Sequence, residues 1–301
     1  MIKSSNEDVY KIPYDMMTKS GIWPKKNPSF VYKMKTSLNW FFALSLFVIL
    51  LLQAIDDIGD FAKLSQSLYI MAAMLGYIIK LGTFTFRRNK FLNMINFLKN
   101  PIFTFVSEDF EHYLIKNIKR ANLTANSFKY LYMSCVFFYL IYPIADHVSL
   151  PFPFPYDLGR YTFLMYAFQM VAESFAAWNN ACLDSLCACT MCVAIAQLEI
   201  LAKKINTVKQ NHSSLVAYEI SEDVILRRLK HCTKHHLAII KYIQYIEEIF
   251  NIGVFLQLMA SVLIICNTLF RFMLVSKVFI LNLYFVPCAF QLRIQYFEQI
   301  F

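Results

Sequence analysis

The amino-acid sequence predicts an all-α protein: a polytopic bundle of transmembrane helices with a cytoplasmic N-terminus and helical extensions below the membrane. Three observations lead there. Six stretches are apolar over about the length that a bilayer crossing needs, roughly 20 residues. The chain of 301 residues is 58% hydrophobic and only 16% charged, with a mean hydropathy of +0.45. A soluble domain of this length has no need for so much apolar surface. Finally, the basic residues gather on alternate connections between the apolar stretches.

The stretches follow in order, within a single transmembrane domain over 1–301. The first is LNWFFALSLFVILLLQAI at 38–55, and the second is LYIMAAMLGYIIKLGTFTF at 68–86. The third, YLYMSCVFFYLIYPIA, occupies 130–145, and the fourth crossing lies inside 161–198. The fifth is IFNIGVFLQLMASVLIICNTLF at 249–270. The sixth, about 278–297, is interrupted by Pro287 and Arg293. The first stretch begins too late, runs too long and lacks the small-residue site of a cleaved signal peptide.

Charge sets the orientation. Residues 1–37 carry seven Lys or Arg, 87–129 carry eight, and 199–248 carry eight more, out of 29 in all. The opposite connections hold Asp56, Asp57 and Asp60 with Lys63, then Asp146 and Asp157 with Arg160, then Arg271 and Lys277. Lys and Arg stay on the cytoplasmic side, so the N-terminus is expected inside. The net charge of +9 is then a topology signal with some attraction to anionic membrane lipid. No basic-aromatic, helix-turn-helix or zinc-finger pattern points to nucleic acid. The inside N-terminus also argues against a G-protein-coupled receptor. No phosphate loop, nucleophile elbow or catalytic constellation is present, so neither an enzyme nor a cofactor is expected.

Between the third and fourth stretches stands ADHVSLPFPFPYDLGRY, 145–161. Proline fixes φ and removes a donor, so LPFPFPYD is extended rather than helical. It is expected outside, either as a stiff connector or as a cap over a cavity between helices. On the other side, 221–248 places Ile225, Leu229, Leu237 and Ile240 at helical spacing and runs into the fifth stretch with no Pro or Gly before Gly253. One helix is expected to leave the membrane there, and 161–205 is expected to do the same.

The fourth stretch carries polar residues in phase. Asn180 and Asp184 fall within about 20° of the Glu173 direction on a helical wheel, and Met191 returns to that face. Polar groups at membrane depth are costly and face a cavity or another helix. Lys80 is the expected cation for one of them, or else snorkels to the inner interface. The eight cysteines read as ordinary buried residues. His231 and His235 in HCTKHH have metal-pair spacing but no further ligands nearby, so no metal is expected. The glycosylation patterns at Asn122 and Asn211 fall on expected cytoplasmic connections and are expected to be unused.

GIWP at 21–24, LPFPFPYD after the third stretch, NNACLDSLCACTMCVAIAQLEILAKKI at 179–205 and HHLAIIKYIQYIEEIFNIGVFLQLMASVLIICNTLF at 235–270 together resemble the insect odorant receptor family. The resemblance covers about residues 10–275. It implies a seven-helix channel subunit with the N-terminus inside, in agreement with the charges. It also implies a small volatile organic ligand, the olfactory co-receptor as partner subunit, and a place in the plasma membrane of sensory neurons. The implied pocket lies in the outer half of the membrane, which nominates Tyr69, Ala73, Phe138, Tyr142, Phe168, Met170 and Glu173, with Tyr142 and Phe168 foremost as aromatic walls. The extensions of spans four to six are implied to form a subunit-contact domain; resting on anionic lipid is the alternative. Members of the family continue to a seventh, pore-lining helix. No seventh span is found before Phe301, so the chain reads as truncated. A gustatory-type receptor of the same architecture, a nonconducting receptor fragment and a small-molecule transporter are the alternatives.

Overall fold

The computed structural model describes residues 5–25, 27–104, 108–145, 150, 152, 154–214 and 222–274. Among them all regular structure is helical. A 3-10 turn, Asn6–Tyr10, leads into α1 (Lys11–Ser20); α2 (Phe30–Asp56), α3 (Phe61–Phe86), α4 (Arg88–Phe97), α5 (Pro101–Thr104), α6 (Glu108–Ala145), α7 (Thr162–Ser214) and α8 (Glu222–Leu274) follow.

Local sequence explains the boundaries. Gly21 ends α1 in the left-handed region at φ 81°, where its N–H and that of Ile22 cap the last turn on Met17 and Thr18. A Cβ there would stand 2.7 Å from the Lys35 Cβ, so only glycine fits. Trp23 of the same GIWP motif packs edge-on to Tyr14 and Phe91. Ser29 caps α2 by accepting from the Tyr32 N–H.

Among the described residues, four helical segments are long and apolar enough to cross a membrane: Phe30–Gly59, Lys63–Phe86, Gly159–Val208 and Asp223–Cys266. The expected third stretch forms the C-terminal part of α6, which begins well before it at Glu108. The expected sixth stretch lies outside the described residues. The two expected helical extensions are present: α7 and α8 each run 53 residues, about 80 Å, well beyond a bilayer core of roughly 30 Å.

α7 is the axis. It packs against α6 and α8, against α2 and α3, and against α1 and the first 3-10 turn. Its buried surface is built from small residues, among them Ala172, Ala176, Ala181, Cys182, Cys189 and Ala196. Small side chains let neighbouring helices approach closely, which is how helices associate where no hydrophobic effect separates them from lipid.

On the first half of α8, three of the four apolar residues at helical spacing, Leu229, Leu237 and Ile240, are exposed, and Cys232, His235, Ile239, Tyr242, Ile246 and Ile249 face the core. The reason is that α8 turns its aromatic and histidine side toward α7 and the N-terminal segment, where those groups find partners.

Candidate functional site

α7 carries polar side chains to four levels of the bundle, and each meets a different partner. At the first level, near the N-terminus of α7, the Gln169 amide is fully buried. Its Oε1 accepts from the Phe152 N–H at 3.1 Å and its Nε2 donates to the Phe152 carbonyl at 2.9 Å. Phe152 is itself buried in the core cluster. Phe152 of the proline-phenylalanine connection is thus held inward. Prolines leave few N–H donors in this segment, so one glutamine satisfies both polar groups of the inserted residue.

Beside this level lies an aromatic group. Phe42 of α2 stacks on Phe175 at 5.1 Å between centroids and tilts against Phe168 at 5.9 Å. The expected pocket residues fall on three helices. Phe168, Met170 and Glu173 lie on the N-terminal turns of α7; Met170 is buried and the other two are half-buried. Phe138 is half-buried on α6, near where the Tyr166 hydroxyl of α7 donates to the Leu140 carbonyl at 3.0 Å. Ala73 is exposed on α3. The side chains of Tyr69 and Tyr142 lie outside the described part of the structure. Phe42, Phe152, Gln169 and Phe175 were missed in the sequence. The missed signal was Gln169, a lone amide in an apolar run.

The second level is an amide-phenol cluster. Asn179 Nδ2 donates to Asn39 Oδ1 at 2.8 Å and to the Tyr77 hydroxyl at 3.0 Å, joining α7 to α2 and α3. Asn39 in turn donates to the Ser20 carbonyl at the end of α1 at 2.6 Å. Asn180, the residue nominated by helical phase, is only half-buried. Its neighbour makes the contacts.

One turn further along, Asp184 Oδ1 is 2.7 Å from Lys80 Nζ, and Asp184 Oδ2 accepts from the Tyr132 hydroxyl at 2.6 Å. Three helices meet at this carboxylate. Lys80 is therefore the expected partner of one of the polar residues on α7, and it does not snorkel away. α8 closes over the pair at Gly253, where a Cβ would come within 3.1 Å of the Lys80 Cγ.

The fourth level lies beyond the apolar run. Tyr242 of α8 donates to the Thr190 carbonyl at 3.2 Å, and its hydroxyl is 2.7 Å from that of Tyr10. Gln197 Nε2 donates to Asn6 Oδ1 at 2.8 Å, which leaves Gln197 Oε1 to accept from His235 Nε2 at 3.1 Å. This fixes the tautomer by elimination. His235 also lies edge-on to Phe103, and His231 is exposed. Of the three histidines of HCTKHH, only His235 is buried.

The arrangement contains no nucleophile-base pair among these contacts. It is a chain of buried, hydrogen-bonded polar side chains that ties one central helix to its neighbours at successive depths.

Comparison with known proteins places this architecture. The family model described as 7tm odorant receptor matches residues 60–297. The insect olfactory receptor OR5 from Machilis hrabei superposes with a TM-score of 0.77 at 14% identity, covering 95% of this chain and 77% of that one. The structure of the same receptor in complex with eugenol matches with equal TM-score and coverage at 15% identity. At this identity the likeness is one of fold. No curated protein matches the chain.

Proposed function

The chain belongs to the odorant receptor family, and on that premise we propose that it is the ligand-tuning subunit of an odorant-gated, nonselective cation channel that works with the olfactory co-receptor. It sits in the plasma membrane of sensory neurons with its N-terminus inside. Its ligand is a small volatile organic molecule, bound in the outer half of the bundle.

The observation that carries this reading is the continuity of α7 from the buried Phe152–Gln169 clamp to the Asn6–Gln197–His235 cluster. A ligand that displaces Phe168, Met170 or Glu173 acts on the same rigid helix that holds Asp184 and Thr190. The helix is fully hydrogen-bonded, so it moves as a body rather than by local melting. The apolar residues left exposed on the first half of α8, Leu229, Leu237 and Ile240, suit a contact with another subunit better than a lipid-facing stripe, since charged residues separate them.

The pocket itself is proposed to combine Tyr69, Ala73, Phe138, Tyr142, Phe168, Met170 and Glu173, with Phe42 added from α2. A concave apolar site with few polar groups is what a small hydrophobic ligand requires.

The test is electrical. The chain is expressed in cells lacking endogenous receptors, with and without the co-receptor, and challenged with a panel of volatiles that includes eugenol. Inward current that needs both subunits is the expected result. Saturable uptake without current identifies a transporter, and binding without current identifies a nonconducting receptor.

A further inference from the structure

A cavity of about 460 Å³ lies where the end of α1, the first turns of α2 and the α3–α4 corner meet. Its inner wall is Trp40, Leu81 and Phe84, and its rim carries Lys25, Lys33 and Arg88. No Asp or Glu lines it. Among the described residues none of the three cations is in an ion pair. Lys25 instead rests over the Tyr32 ring at 4.5 Å.

We propose that this cavity binds the headgroup of a polyanionic phospholipid from the cytoplasmic leaflet. Three features converge. First, the positive charge is unopposed. The C-terminal carbonyls of α1, which would repel an anion, are occupied: Lys35 Nζ donates to Lys19, Asn39 Nδ2 to Ser20 and Thr36 Oγ1 to Gly21. Second, the position is right. The apolar runs of α2 and α3 both reach the cavity, with their most basic flanks beyond it. Trp23, Tyr32 and Trp40 supply the aromatic character of a membrane interface. Third, the exit is apolar. Leu38 and Phe41 are exposed on α2 directly after the cavity-lining turns, a surface for acyl chains that a soluble phosphate does not use. Cations of this kind at the inner surface attract anionic lipid.

Two of the three tryptophans in the chain, Trp23 and Trp40, line the cavity, so their emission reports occupancy. The full-length chain is reconstituted in phosphatidylcholine nanodiscs. Phosphatidylinositol bisphosphate with brominated acyl chains is then titrated in, against brominated phosphatidylcholine at the same mole fraction. The expected result is stronger quenching by the anionic lipid. The combined variant Lys25→Gln, Lys33→Gln, Arg88→Gln should weaken its apparent affinity on the order of 100-fold, from roughly fivefold per cation removed. A control with the same charge change on α8, Arg227→Gln, Arg228→Gln, Lys230→Gln, should retain the quenching, and an unchanged melting temperature in both variants shows that they fold.

Equal quenching by the two lipids overturns the proposal, and so does full quenching in the rim variant. Equal loss in the α8 control reduces the effect to net charge and also overturns it. Soluble inositol trisphosphate displacing the lipid at the lipid's own concentration shows a free-anion site and overturns the assignment to lipid.

Discussion

Lys80 and Asp184 stand 104 residues apart in the chain and meet at 2.7 Å inside the bundle, with little of either side chain exposed. Removing one partner leaves a buried charge with no counter-ion, which costs about 3–5 kcal/mol, whereas removing both with apolar residues of similar size is often tolerated. Lys80→Met and Asp184→Leu alone should each abolish folding or surface delivery. The double variant should recover most of it. Thermal melting of the purified chain and surface labelling in cells check this. A double variant as damaged as the singles would contradict the pairing.

Asn179 provides a second test, independent of charge. Asn179→Ala strands Asn39 Oδ1 and the Tyr77 hydroxyl, at about 1–3 kcal/mol for unsatisfied buried groups. Tyr77→Phe removes one bond and its hydroxyl together, and should cost less, about 1 kcal/mol. Asn180→Ala should cost least, because Asn180 is half-buried and has no part in this cluster. The order of the three melting temperatures is the readout.

Gln169 should matter for ligand response more than for stability. Gln169→Ala frees Phe152, so hydrogen exchange at the Phe152 amide should rise about 5- to 30-fold, for a clamp worth about 1–2 kcal/mol. Under the proposed function the odorant concentration for half-maximal current shifts in the same variant. Unchanged exchange at the Phe152 amide would show that the clamp does not hold the segment.

Tyr10 gives a pH dependence outside the membrane. Burial, and then the Tyr242 hydroxyl, push the Tyr10 phenol well above its ordinary range, with Cys189 and Cys192 adding in the same direction. An unfolded tyrosine loses its proton near pH 10. Above that, the folded state holds a proton that the unfolded state has released. Stability is therefore flat below about pH 10 and falls as pH rises through it. Tyr10→Phe should cost about 1 kcal/mol at neutral pH and make the alkaline fall shallower. Melting temperatures at neutral pH and above pH 10 measure both.

Gly21→Ala places a side chain at φ 81° and 2.7 Å from the Lys35 Cβ. Backbone strain of about 1–3 kcal/mol is expected, before the contact with Lys35 is counted. The variant should loosen α1 from α2, and protease cleavage between residues 20 and 30 should accelerate.

Much of the architecture was legible in the residues. Apolar runs define the helices of a membrane protein, because every backbone group must be satisfied within the segment. The absence of Pro and Gly over 221–252 announced the unbroken α8, and a lone lysine in an apolar run called for either a counter-ion or an escape to the interface. What faced that lysine was narrowed to a few residues by helical phase, and Asp184 was among them.

Phase failed where a helix is surrounded. α7 is buried on almost every side through its middle, so a favoured direction on its wheel does not distinguish Asn179 from Asn180. The partners Asn39 and Tyr77 come from helices 140 and 102 residues away. The same holds for the turned face of α8, where His235 and Tyr242 go inward and leucines stay out because Gln197, Asn6 and Tyr10 stand opposite. Local sequence thus determined that the apolar segments are helices, that α7 and α8 run on past them, and which residues needed a partner. Only the tertiary structure decided which partner, because a buried polar group is satisfied by whatever donor or acceptor the packing brings within about 3 Å, and that depends on the whole bundle.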